Sequence, residues 1–189
     1  MKVTAPPELP ELRVFHVQVF HDSRGRFLEL HHEERYAGAG VDARFVQDNV
    51  SVSKRHVLRG LHFQHPRAQG KLISVLEGEV FDVAVDVRRG SPTFARWVGF
   101  TLSGENAAQL WIPPGFAHGF VVTSERALVA YKCTEPYVPA AEHTVRWDDP
   151  EIGIEWPVTE PELSLRDATA PTLAALPEDA LPRWQPARG

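Results

Sequence analysis

The stretch "KLISVLEGEVFDVAVDV", Lys71 to Val87, holds two runs of valine, leucine, isoleucine and phenylalanine either side of the turn-like "EGE". β-Branched and aromatic side chains suit a pleated, half-buried surface, and a glycine between two such runs marks a turn. Within "VFDVAVDV" the apolar residues alternate in part with Asp82 and Asp86, the period of two expected of a strand. The same texture recurs outward in "RVFHVQVF" (13–20), "RFVQDNVSVS" (44–53), "RWVGFTL" (96–102), "AQLWIP" (108–113), "HGFVVTS" (118–124) and "ALVAYKCT" (127–134). Turn-like breaks such as "RRGSP", "LSGEN", "IPPG" and "TSER" separate them. Only "FLELHHEERYAGAG" (27–40) reads as helical in its middle, and its glycines end it. Many short strands with no fixed-period repeat predict an all-β antiparallel sandwich or barrel, not a propeller or solenoid.

The chain's 189 residues are most simply one domain, 1–189, large enough for a core without disulfides. Prolines mark "APPELPEL" (5–12) as the end of an N-terminal arm, 1–12, and residues 170–189 as an irregular tail. The single cysteine, Cys133, can form no internal disulfide. Neither a signal peptide nor a membrane span is legible, so a cytoplasmic protein without membrane partners is expected. A net charge of −5 argues against general nucleic-acid binding but leaves room for a local basic pocket.

Two strand-like stretches carry histidines: "VLRGLHFQHP" (57–66) and "IPPGFAHGF" (112–120). Some jelly-roll barrels hold a metal through an H-x-H pair, a later glutamate and a distant histidine after P-x-G-x-x. Pro113, Gly115 and His118 match the second half, but Gln64 stands where the second histidine of the pair belongs. One or two candidate ligands are too few for a metal, which needs three or four, so none is expected. A buried, hydrogen-bonded role is the ordinary reading of a lone strand histidine. Yet Arg59, His62, Gln64, Lys71 and Tyr131 all fall on strands, where polar groups are costly unless they pair or face a cavity. A barrel interior lined by Arg, Lys, His and Tyr suits an anionic small molecule with a carbonyl to be polarised.

The ordered segments "FHDSRGRFLE", "FVQDNVSVS", "VLRGLHFQ", "AQGKLISVLEGEVFDVAVDVRRGSPTF", "LSGENAAQLWIPPGFAHGF", "YKCT", "WDDPEIGIEWP" and "LSLRD" together resemble the dTDP-4-dehydrorhamnose 3,5-epimerases. The resemblance implies a metal-free, cupin-like jelly roll that forms a homodimer and needs no cofactor. By that likeness His62 is the catalytic base, Asp167 its orienting carboxylate, Tyr131 the opposing proton donor, and Lys71 the cation beside the C4 carbonyl. Arg24, Glu29, Gln47, Asn49, Arg59, His118, Glu142 and Arg166 fall on positions that bind a dTDP-sugar substrate. The implied reaction converts dTDP-4-dehydro-6-deoxy-D-glucose to dTDP-4-dehydro-L-rhamnose. A mono-epimerase of a related keto sugar, or a non-catalytic nucleotide-sugar binder, shares the pattern. The chain departs from the usual pattern at Arg166, where lysine is common, and at Pro136, where relatives often carry tyrosine. His31 and His32 read as a solvated face, and His65 as a loop histidine before Pro66.

Overall fold

The computed structural model describes residues 1–186. Its strands are β1 (Lys2–Thr4), β2 (Arg13–His16), β3 (Val19–Asp22), β4 (Gly25–Leu28), β5 (Gln47–Lys54), β6 (Leu58–Gln64) and β7 (Lys71–Glu77). There follow β8 (Glu79–Asp86), β9 (Trp97–Ser103), β10 (Ala108–Ile112), β11 (Phe116–Val122), β12 (Arg126–Cys133) and β13 (Glu142–Thr144). Two short helices, α1 (Glu33–Gly38) and α2 (Leu165–Ala168), complete the main elements. One sheet runs β1-β2-β10-β7-β12-β5 and the other β13-β6-β11-β8-β9, while β3 and β4 form a separate hairpin. All the strand pairings are antiparallel, and the two sheets close on each other as a cupin-like jelly roll.

The opening stretch folds as read, into β7 and β8 around Gly78, whose φ is +75°. A Cβ there would lie 1.9 Å from the Arg126 carbonyl oxygen, so neither the angle nor the space admits a side chain. Val80 and Ala84 of β8 enter the core between the sheets with Ile73, Leu110 and Phe120. Val83 and Val85 point the other way, into a second cluster with Phe63, Val145, Ile152, Leu173 and Leu181. Both faces of β8 are therefore buried, which is why its alternation of apolar with polar residues is incomplete. Asp82 and Asp86 share the inward parity of Val80 and Ala84, and both are fully buried.

Both chain ends contribute to this core. Lys2–Thr4 of the arm pair with β2, and Leu9 and Leu12 are buried between the sheets. The tail makes two short 3-10 turns, Leu173–Ala175 and Glu178–Ala180, and seals the second cluster with Leu173 and Leu181. Residues 187–189 of the expected tail lie outside the described part. "RVFHVQVF" is not one strand: the chain leaves the sheet after His16 and re-forms as the β3–β4 hairpin. His31 and His32 are not a solvated face. The His31 ring packs 4.9 Å from Tyr36 and 5.0 Å from Phe45, and His32 is half-buried. Their neighbours are the aromatic residues that cover the outer face of the first sheet, a burial that the run of charged residues after them concealed. No helix of the described residues is long and apolar enough to cross a membrane.

Candidate active site

Between the two sheets lies a cavity of about 500 Å³. β5 reaches it with Gln47, Asn49 and Ser51 on its more buried face, while Val50 and Val52, largely exposed, border the same cavity at the sheet edge. From the same sheet come Lys71 at the start of β7 and Tyr131 and Cys133 of β12. The opposite wall is built by Arg59, His62 and Gln64 of β6, His118 and Phe120 of β11, and Glu142 of β13.

A regular strand would send Arg59 and His62, three residues apart, to opposite faces. The β6–β11 ladder slips between His118, which pairs with His62, and Phe120, which pairs with Arg59. Gly60 and Leu61 of β6 thus oppose the single Gly119 of β11, a bulge that turns both side chains into the cavity. Gly60 makes it possible, with φ at +138° and a hypothetical Cβ only 2.5 Å from the Gly119 Cα.

His62 Nε2 lies 2.6 Å from Asp167 Oδ1, across 105 residues of sequence. Ser164 caps α2 by accepting a bond from the Asp167 backbone N–H, which fixes the carboxylate behind the imidazole. Burial raises the Asp167 pKa, but bonds from His62, Ser164 and the Gly60 backbone outweigh it and leave the carboxyl below its ordinary value. Asp167 is therefore ionised at neutral pH and free to accept a hydrogen bond from the imidazole. Beside it stands a second histidine–carboxylate pair, His118 Nε2 at 2.9 Å from Asp82 Oδ2. That contact gives Asp82 its interior partner.

Lys71 is 8% exposed and has no hydrogen bond or ion pair among the described residues. Burial pushes its ammonium below the usual lysine value, against the opposing pull of Cys133, Glu142 and Asp82. Such a desolvated, unpaired cation is poised for an anionic oxygen. Tyr131 lines the same cavity from the neighbouring β12, two residues before Cys133, the partner of Lys71 in the ladder; burial pushes its phenol up, so the proton is held at neutral pH. His62 and Tyr131 enter from opposite sheets.

Glu142 accepts bonds from Tyr137 (2.6 Å) and from Arg166, whose Nε also donates to Thr144 Oγ1 at 3.0 Å. Arg166 thus stands at the rim, outside the cavity wall. Gln47 Nε2 donates to Asn49 Oδ1 at 2.9 Å. Two expected binding residues are not brought to the cavity of their own chain. Arg24 sits in the β3–β4 turn paired with Asp22 at 2.5 Å, and Glu29, just after β4, pairs with Arg35 at 2.6 Å. Ser51, Cys133 and Tyr137 also line the wall without being legible as site residues. Parity was the available signal for two of them: Ser51 follows Gln47 and Asn49 by twos, and Cys133 follows Tyr131.

The family model described as dTDP-4-dehydrorhamnose 3,5-epimerase matches residues 6–175. The dTDP-4-dehydrorhamnose 3,5-epimerase of Salmonella typhimurium is 51% identical over 176 residues, covering 92% of this chain and 96% of that protein. A dTDP-6-deoxy-D-glucose-3,5-epimerase from Legionella pneumophila, solved with dTDP-4-keto-L-rhamnose, superposes with a TM-score of 0.94 at 49% identity. That match covers 97% of this chain and 98% of the other. A 3'-monoepimerase from Streptomyces bikiniensis, solved with dTDP-quinovose, gives 0.85 at 38% identity over 90% of this chain and 88% of its own. On the family match and the identity over nearly its whole length, this chain belongs to the dTDP-4-dehydrorhamnose 3,5-epimerase family.

Proposed function

We propose that the cavity takes dTDP-4-dehydro-6-deoxy-D-glucose and inverts C3 and C5 to give dTDP-4-dehydro-L-rhamnose, with His62 as base and Tyr131 as acid. The observation that carries this reading is the entry of His62 and Tyr131 from opposite sheets into one cavity. Inversion beside a ketone requires a proton to leave one face of the ring and another to arrive on the opposite face. Neutral imidazole, with an unperturbed pKa of ~6.5, is a suitable base near neutral pH. Asp167 holds its tautomer and stabilises the imidazolium that forms. As the C–H bond breaks, its electron pair moves onto O4, and the buried Lys71 ammonium stabilises the resulting enolate. Tyr131 then gives its proton to the other face of the carbon. Solvent restores both groups before the second carbon is turned.

Gln47, Asn49, Arg59, His118, Glu142 and the rim Arg166 are read as binding the nucleotide-sugar, Arg59 at the diphosphate. As an arginine, residue 166 would offer its ligand a planar fork in place of a lysine's point charge. The active form is read as a homodimer. The β3–β4 hairpin holds Arg24 and exposes Phe20 and Phe27, at 53% and 69%, and β5 exposes Val50 and Val52. Burial of these surfaces against a second copy would bring Arg24 and Glu29 toward the partner's cavity and cover the sheet's open edge. Residues 1–189 are read as one domain, which agrees with the buried side chains of both arm and tail.

Incubation with the 4-keto sugar nucleotide in deuterated water, followed by NMR, tests the reaction. Deuterium at both C3 and C5 is expected. Label at one carbon alone would make the protein a mono-epimerase, the reading closest to the Streptomyces bikiniensis relative, and no label would make it a binder only.

A further inference from the structure

The inward face of β5 continues past Asn49 to Ser51 and Ser53, neither of which has a place in the chemistry above. Ser53 is 6% exposed, and its Oγ accepts a bond from Arg59 Nε at 3.1 Å. The Ser51 and Ser53 hydroxyl oxygens are 3.2 Å apart. Arg59 has no carboxylate partner among the described residues; Arg13, Arg44, Arg55, Arg96 and Arg183 share that lack, but of these Arg59 alone lines the cavity. Among the described residues it is held only through Nε, which leaves both terminal nitrogens for a ligand.

A hydroxyl has a single hydrogen. With a cationic Nε–H donating into the Ser53 oxygen, the Ser53 hydrogen is driven away from the guanidinium. Its hydroxyl neighbour in reach is Ser51. A Ser51 oxygen that accepts from Ser53 keeps its own hydrogen free, and Ser51 lines the cavity. With Ser53 as the donor of that pair, the charge of Arg59 orders two hydroxyls so that Ser51 offers its hydrogen to the same space. Each bond polarises the next in a site sheltered from water.

We propose that Arg59, Ser53 and Ser51 form one anion clamp: Ser53 is a positioning residue for the guanidinium, and Ser51 donates its hydroxyl hydrogen to the phosphate oxygens of the ligand. The proposal rests on the reading that Arg59 meets the diphosphate. It adds two residues to the binding surface and an order to their action, since Ser51 is set by Ser53 and Ser53 by Arg59.

Isothermal titration with dTDP, and NMR titration with thymidine, which lacks the phosphates, separate the possibilities. Ser53→Ala and Ser51→Ala are each expected to weaken dTDP by about 5–10-fold, the scale of one net hydrogen bond, and to leave thymidine unchanged. Ser53→Thr, which keeps the hydroxyl, should bind dTDP within about twofold of wild type. Because the groups act in series, the double Ser51→Ala/Ser53→Ala variant should lose far less than the product of the single losses. Four results overturn the clamp: normal dTDP binding by Ser53→Ala, multiplicative losses in the double variant, failure of the threonine, or an equal loss of thymidine. Arg59→Ala distinguishes the two levels. If it weakens dTDP while the serine variants do not, the clamp fails and the diphosphate reading stands. If it binds dTDP as wild type does, both fall.

Discussion

Replacing Lys71 with methionine exchanges an ammonium for a thioether on an unbranched side chain, and should make the protein both more stable and nearly inactive. The buried ammonium has no partner among the described residues, and burial holds its pKa below the lysine value of the unfolded chain, ~10.4. The unfolded state therefore binds more protons between the folded value and ~10.4, and wild-type stability rises with pH across that window. At neutral pH the cation is a cost to folding. Its removal should return about 1–2 kcal/mol, within the range seen when a functional residue gives way to a packed one. At roughly 2–4 °C per kcal/mol for a chain of this length, the melting temperature should rise by about 2–8 °C. The same change removes the cation from the enolate oxygen, a loss of about 10²–10³ in rate by analogy with an oxyanion-hole donor. Scanning calorimetry at one fixed protein concentration, paired with deuterium exchange, measures both. A lower melting temperature in Lys71→Met would mean that the ammonium is paired in solution, and undiminished exchange would remove it from the C4 oxygen.

His62→Ala should abolish exchange at both carbons, a loss of about 10²–10⁴, with dTDP still bound; exchange at one carbon at the wild-type rate would reveal a second base. Asp167→Asn should reduce turnover more than binding. Because the folded Asp167 pKa lies below its unfolded value of ~3.9, ionised Asp167 stabilises the fold above that pH, and the contribution is lost as pH falls through the folded value. Acid unfolding of Asp167→Asn should lack this part of the pH slope, and a slope unchanged from wild type would place no shifted carboxyl there. Light scattering at micromolar concentration should give the mass of a dimer; a monomeric mass would leave the exposed Phe20, Phe27, Val50 and Val52 without their proposed cover.

The all-β class was legible because "KLISVLEGEVFDVAVDV" carries its pattern locally: a glycine turn between two apolar runs needs no distant information. The same locality explains where sequence misleads. Arg59 and His62 are three apart and share a cavity only because the β6–β11 register slips at Gly60, which depends on the partner strand. Burial of His31 comes from Phe45 and Tyr36, which no periodicity near His31 announces. The arm reads as proline-rich coil, yet Leu9 and Leu12 enter the core and its first residues pair with β2. Asp167 lies 105 residues from His62 in the sequence, and only the fold brings it to 2.6 Å. Within one chain, Arg24 and Glu29 stand apart from the cavity that the family likeness assigns them.

The division of labour between the two sheets is tested most directly by Tyr131→Phe, followed by NMR in deuterated water at C5. The variant keeps the ring and loses the hydroxyl, so the cavity wall is nearly preserved. With His62 still able to remove the proton and Lys71 still holding the enolate, deuterium should enter C5 with the original configuration retained while inversion falls steeply. If exchange and inversion decline together, or if inversion proceeds at the wild-type rate, Tyr131 is not the acid and the opposite-sheet account of the reaction is wrong.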